Sequence, residues 1–264
     1  MNPPTQRPDI AVILPCYNEA QAIGQVVRDF QAALPGAAIH VFDNNSSDGT
    51  ADVARQAGAQ VHLVSLRGKG NVVRRMFADV EADVYVMTDG DATYGTSNIR
   101  EMVDGVVMHG CDMVVGVRVD AGAHTGAYRP GHRLGNRLLT GSVRMIFGSG
   151  FTDMLSGHRV FSRRYVKSFP AASSGFETET ELTVHALELR MPCKEFPVAY
   201  GARPEGTASK LSTFRDGWRI LSTIFKLFTS ERPFTFFLLL AGVLALVSIG
   251  LAIPLAVTYL QTGL

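Results

Sequence analysis

Apolar and polar positions change period several times along the chain. Residues 10–14 (IAVIL), 38–42 (AIHVF), 60–65 (QVHLVS), 84–88 and 113–117 are short, apolar, β-branched runs of strand length. Between them, residues 19–33, 48–57, 71–80 and 98–109 carry helical spacing. Continuous apolar strands alternating with helices predict an α/β fold, a mostly parallel sheet with helices on both faces. Such sheets bind ligands beyond the carboxyl ends of their strands. That is where the unusual residues of this chain collect: Asn18 and Glu19, Asp43, Lys69, Asp89 and Asp91, and Arg118.

Beyond Arg118 the pattern changes. Residues 121–131 (AGAHTGAYRPG) form a glycine-rich loop, and residues 133–147 read as a helix. Arg133, Arg137, Thr140 and Arg144 share one stripe of it, without an acid among them, where ordinary surface faces mix both signs; a solvated helix face is the alternative. A further helix is predicted over 178–189, then a strand (CKEFPVAY) and a polar loop (GARPEGTASK). Residues 216–228 are amphipathic, with Trp218, Leu221, Phe225 and Phe228 opposite Arg215, Arg219, Ser222 and Lys226. That is the character of a helix lying on lipid headgroups; packing on the main domain is the alternative.

The last stretch has no period at all. Residues 234–264 contain no Asp, Glu, Lys, Arg or His, and exceed the roughly 20 apolar residues that cross a bilayer as a helix. Pro254 can kink such a span without forbidding it. The segment before it carries Arg203, Lys210, Arg215, Arg219, Lys226 and Arg232 against Glu205, Asp216 and Glu231. This excess places that side, and the preceding domain, in the cytoplasm. The expected organisation is a globular domain over 1–211, a juxtamembrane helix over 212–232 and a transmembrane segment over 233–264. The N-terminal apolar run is too short for a cleavable signal, and topology beyond one crossing stays open.

Composition changes this picture little. Among 264 residues, 46% are apolar and the net charge is +1, which disfavours disorder and a nucleic-acid binder working by bulk electrostatics. Three dispersed cysteines make neither a disulfide framework nor a thiolate zinc site.

Chemistry concentrates in TDGDATY. Asp89 and Asp91, one residue apart at the end of an apolar strand, suit a hard divalent cation, Mg²⁺ or Mn²⁺, shared with substrate phosphates. Alone, such a pair is more often a turn; its place after an apolar strand, beside the other strand-end residues, favours the cation. Lys69 in RGKGN could meet a phosphate, and Asp43 in FDNNSSDGT a ribose or base edge, or both could belong to surface turns.

LPCYNE, DNNSSDGT, RGKGN and TDGDATY, in this order, resemble the family-two glycosyltransferases of GT-A fold. RLGNRLLTGSVRMIFGSGFTDMLSGHRVF, GFETETEL and YGARPEGTASKL resemble the branch with dolichol-phosphate mannose synthase and bacterial polyprenyl-phosphate glycosyltransferases. The resemblance implies a nucleotide-diphospho-sugar donor, a polyprenyl phosphate acceptor, a divalent cation and a membrane enzyme. It puts Pro15, Tyr17, Glu19 and Asp43 around the nucleoside, Lys69 near the diphosphate, and Asp89 and Asp91 at the metal. Arg118, Arg133 and Arg137 would hold the acceptor phosphate, and Arg203, Ser209 and Lys210 would close over phosphates. Asp153 matches an acidic position of the family motif, as a catalytic group or as an anchor for an arginine, with Arg159 beside it. Thr93 departs from the family, whose members often place another donor there. The rival readings are a transferase to a saccharide hydroxyl using Asp153 or Glu181 as base, a nucleotidyltransferase, and a silent nucleotide-sugar binder. Sugar, nucleobase and homo-oligomeric state are not legible.

Overall fold

The structure, a computed structural model, describes residues 8–120, 132–201 and 213–263. Strands β1 (Ile10–Cys16), β2 (Ala38–Asp43), β3 (Gln60–Leu63) and β4 (Val84–Met87) pair in parallel, joined by helices α1 (Ala20–Ala33), α2 (Thr50–Gln56) and α3 (Lys69–Asp79). Helix α4 (Ile99–Val107) leads to β5 (Met113–Asp120), and α5 (His132–Phe147) follows. Strand β6 (Arg159–Ser162) then enters antiparallel between β4 and β5. After α6 (Arg163–Ser168) and α7 (Thr178–Glu188), β7 (Cys193–Tyr200) returns parallel to β5. The seven strands lie in the order β3-β2-β1-β4-β6-β5-β7.

Alternation along each strand feeds two apolar layers. Ile13 joins Phe42, Met76, Tyr85 and Phe161 on one face of the sheet. Val12 and Leu14 join Ile23, Phe30, Val86 and Ile99 on the other. Strand β6 has no counterpart among the sequence-predicted elements, because it opens on a charge. Arg159 is fully buried, its Nε donating to the Ser156 carbonyl at 2.9 Å and a terminal nitrogen to the carbonyls of Met154 and Glu179 and to Thr183 Oγ1. A buried guanidinium persists only when satisfied in this way, and here it pins the loop before β6 to α7.

The chain divides into two compact units, residues 1–221 and 222–264. The boundary falls within α8 (Thr213–Glu231). In the second unit Phe225 and Phe228 meet Phe236 edge-on, ring centroids 5.3 Å apart. Helix α9 (Pro233–Thr262) has 30 residues, about 45 Å at 1.5 Å per residue, against about 30 Å of bilayer hydrocarbon. It is long and apolar enough to cross a membrane, and none of its residues is buried. On α8, Trp218, Leu221 and Phe225 are exposed while Asp216 and Ile220 are buried.

Candidate active site

The loops beyond β1, β2 and β3 are stitched together by the polar residues of DNNSSDGT. Asn18, in left-handed conformation at φ 53°, donates its amide to Ser46 Oγ (2.8 Å) and accepts from the Ser47 amide (2.8 Å). The Glu19 amide donates to Thr50 Oγ1 at 2.9 Å. Asn44 spans to the next loop, donating to the carbonyls of Val64 and Leu66 and accepting from the Gly68 amide at 2.7 Å. These residues brace the strand ends against one another, beyond shaping one turn.

Strand β4 delivers the two carboxylates onto this frame. Asp91 is 2% exposed, and its Oδ1 accepts from both the amide (3.1 Å) and the hydroxyl (2.6 Å) of Thr93. Thr93 therefore orients Asp91. Between the aspartates, Gly90 is packed so closely that a Cβ there would lie 2.4 Å from Cys16 Sγ. Asp89 Oδ1 accepts a 2.5 Å charge-assisted bond from Lys69 Nζ, the first residue of α3. The same ammonium lies 2.6 Å from Glu179 Oε1 on the first turn of α7. Burial by itself would favour the neutral amine, but Asp89 and Glu179 outweigh it and hold Lys69 protonated far above the usual lysine range. Glu179 is not among the candidate residues of the sequence, although it lies in GFETETEL, one of the stretches that carry the family resemblance. A further signal is that this acid-rich run has no basic residue, so its burial requires a cation from elsewhere.

Pro15, Tyr17, Glu19, Lys69, Asp89 and Asp91 all line one cavity of about 300 Å³, together with Asn44, Arg67 and Phe176. Asp43 is buried at the end of β2; its Oδ2 accepts from the Ser46 amide at 3.3 Å, and its Oδ1 has no hydrogen bond among the described residues. An orphaned acceptor of that kind suits an N–H or O–H of a ligand.

Arg118 and Asp153 form a separate pair at the end of β5. Nε and a terminal nitrogen of Arg118 donate to the two carboxylate oxygens at 2.7 and 2.6 Å, and Asn136 adds a bond of 3.0 Å. Burial pushes the Asp153 carboxyl up, but the bonds and charge of Arg118 prevail and hold it below the ordinary range. Of its two sequence readings, the arginine anchor is the one this geometry supports. Glu181, the other candidate base, accepts from the amides of Ala172 and Ser173 at 2.9 Å each and holds that loop. Arg137 and Arg144 on α5 are exposed, but Thr140 of the same stripe is buried. Arg133 lies on the first turn of α5 with its side chain outside the description, and Arg203, Ser209 and Lys210 lie outside the described residues.

Tyr94 connects the two halves. It stacks on His158 at 5.2 Å, meets Tyr200 edge-on at 5.2 Å, and accepts from the Gly157 amide at 3.2 Å. Tyr200 in turn lies under the Arg118 guanidinium at 5.6 Å. His158 is completely buried, and neither ring nitrogen has a partner among the described residues; burial, opposed weakly by Asp89, lowers its pKa to about 4.

A divalent cation fits the donor set. Hard carboxylate oxygens stand one residue apart, one of them already matched by a cationic ammonium. No group of three His, Cys, Asp or Glu forms a cage among the described residues, as suits an ion completed by substrate phosphate.

The sequence profile of glycosyl transferase family 2 matches residues 11–169. Glycosyltransferase AglJ of Haloferax volcanii is 34% identical over 86% of this chain and 75% of its own length. A dolichyl-phosphate hexose transferase of the same organism is 30% identical over 85% of this chain and 96% of its own. Among solved structures, glucosyl-3-phosphoglycerate synthase of Mycobacterium tuberculosis, crystallised with Mn²⁺, uridine diphosphate and glucosyl-3-phosphoglycerate, superposes with a TM-score of 0.65. It covers 85% of this chain and 80% of its own at 23% identity, a likeness of fold.

Proposed function

The chain belongs to glycosyl transferase family 2, and from that premise we propose that it moves a sugar from a nucleotide-diphospho-sugar to a polyprenyl phosphate at a membrane surface. The observation that carries the reading is that one cavity beyond β1, β2 and β4 gathers the groups it needs. There acceptor oxygens for a nucleoside, a lysine for a diphosphate and two carboxylates for a hard cation stand together. The names of relatives that act on dolichyl phosphate and the 30-residue apolar helix α9 support a lipid-borne acceptor.

In this reading the nucleoside lies along Pro15 and Tyr17, with Glu19 and Asp43 accepting from its hydrogen-bond donors. A divalent cation held by Asp89 and Asp91 would supply charge neutralisation for the diphosphate. Lys69 adds a fixed positive charge beside that leaving group. The reaction is one in-line displacement: an acceptor phosphate oxygen bonds to the anomeric carbon as the bond from that carbon to the diphosphate oxygen breaks, the electron pair leaving with the nucleoside diphosphate. A phosphate oxygen is already ionised at neutral pH, so no protein base is required, consistent with Asp153 and Glu181 being committed elsewhere. The work of the protein is orientation and charge. Arg133 offers the planar fork that grips phosphate bidentately, and Arg118, one edge of whose guanidinium is taken by Asp153, would present its other edge to the phosphate. Arg203, Ser209 and Lys210 would close over the phosphates. The domain so placed would stand on the cytoplasmic side, with α8 along the headgroups and α9 through the bilayer.

The test is the full chain in detergent with Mg²⁺, a panel of labelled nucleotide sugars, and polyprenyl phosphate present or absent. Label entering the organic phase only when the lipid is present is the expected result. Transfer solely to a water-soluble saccharide would replace this reading with the hydroxyl-acceptor one, and binding without transfer would leave a nucleotide-sugar binder.

A further inference from the structure

We infer that Lys69 is a resident counter-ion that gives up Asp89 when a divalent cation is bound and is kept in place by Glu179, which makes Glu179 a positioning residue of the site. The inference rests on the reading of Asp89 and Asp91 as cation ligands.

Three features carry it. First, the ammonium is divided between two acids from different elements, 2.5 Å from Asp89 Oδ1 and 2.6 Å from Glu179 Oε1. It stands where positive charge is required, so the pocket folds without leaving two carboxylates to repel each other. Second, the two partners are unequal. The Asp89 side chain is 29% exposed on a loop, whereas that of Glu179 is 5% exposed on the first turn of an eleven-residue helix, where a negative charge is favoured. The Glu179 carbonyl also accepts from the buried Arg159, and that bond fixes its backbone. Water compensates the loss of the ammonium at Asp89 far better than at Glu179. Third, Glu179 has capacity in reserve. Its Oε2 is buried and has no hydrogen bond among the described residues, so an ammonium released by Asp89 can place a second N–H there. Room for that shift exists because residue 157 is glycine: a Cβ would stand 2.6 Å from Asp89 Oδ2 and 3.0 Å from Lys69 Nζ.

Two substitutions then act in opposite directions on cation affinity. Without Lys69, the cation no longer competes with an ammonium for Asp89. Without the Glu179 charge, the ammonium has only Asp89 and the cation must displace it with nothing to receive it. A purely structural role for the pair would weaken binding in both cases.

The experiment is a Mn²⁺ titration of the detergent-solubilised full chain without nucleotide, reading free Mn²⁺ by electron paramagnetic resonance, for wild type, Lys69→Met, Glu179→Gln and Asp91→Asn. A neighbouring charge at this range is worth about tenfold in affinity. Lys69→Met is expected to tighten Mn²⁺ about tenfold, Glu179→Gln to weaken it by roughly the same factor, and Asp91→Asn to remove it. If Asp91→Asn removes binding while both other variants bind as wild type, or both weaken, the counter-ion role is overturned and the cation site stands. If Asp91→Asn binds as wild type, the cation site falls and the inference with it. Should Lys69→Met fail to fold, Glu179→Gln decides alone: it leaves the Lys69–Asp89 pair intact, and unchanged affinity in it overturns the inference.

Discussion

Arg118 and Asp153, 35 residues apart in the chain, meet as a two-pronged ion pair in which each carboxylate oxygen accepts one guanidinium N–H, at 2.7 and 2.6 Å. Both carboxylate oxygens are taken up by the guanidinium, and Asn136 adds a further bond, so the carboxylate is a support for the arginine. Asp153→Asn would strand a nearly buried cation, at a cost of about 3–5 kcal/mol. The variant is expected to lose transfer while keeping the shape of the wild-type pH–rate profile. Disappearance of the acidic limb of that profile would instead mark Asp153 as a base.

Gly90 is required by its neighbour. Gly90→Ala should cost about 1–3 kcal/mol and sharply reduce transfer, because the new methyl collides with Cys16 Sγ. The double variant Cys16→Ala, Gly90→Ala should recover most of the stability, measured by thermal unfolding. Equal losses in single and double variants would place the strain elsewhere.

His158 makes stability depend on pH in a defined direction. Its folded pKa, about 4, lies below the unfolded value of 6.5, so the unfolded chain binds the proton first. The stability contribution is complete above pH 6.5 and is lost as pH falls toward 4, with a slope of up to about 1.4 kcal/mol per pH unit. Denaturant melts of the soluble-domain signal at several pH values should show this slope in wild type and a reduced one in His158→Phe.

The basic stripe of α5 should govern the lipid substrate. Arg133→Ala and Arg137→Ala are expected to raise the KM for polyprenyl phosphate about tenfold or more, the worth of a hydrogen bond to a charged group. The KM for the sugar nucleotide should move less than about twofold. Equal changes in both would remove these arginines from the acceptor site.

Elements whose burial follows polarity were legible in the sequence. The strand CKEFPVAY was predicted over the residues that β7 occupies, and the carboxylate pair and Lys69 were found at strand ends because such sheets bind ligands there. Burial of charge was not. Strand β6, which begins on Arg159, has no counterpart among the predicted elements, and the helix predicted over 178–189 forms as α7 but buries Thr178, Glu179, Thr180, Glu181 and Thr183, which its polar composition does not disclose. Nor does linear spacing disclose which distant charges pair: Glu179 lies 110 positions beyond Lys69 in the sequence, although α3 and α7 bring them to 2.6 Å. The lesson is specific to charge: a buried ion is read correctly only with its partner in view.

The central claim is sugar transfer to polyprenyl phosphate at the Asp89–Asp91 site, and organic-phase label from wild type and Asp91→Asn, assayed together with polyprenyl phosphate and Mg²⁺, tests it most directly. The account predicts lipid-linked sugar from wild type and a loss of roughly a hundredfold or more in a folded Asp91→Asn. Near-equal label in the two, or none in the lipid from either with every nucleotide sugar tried, would contradict it.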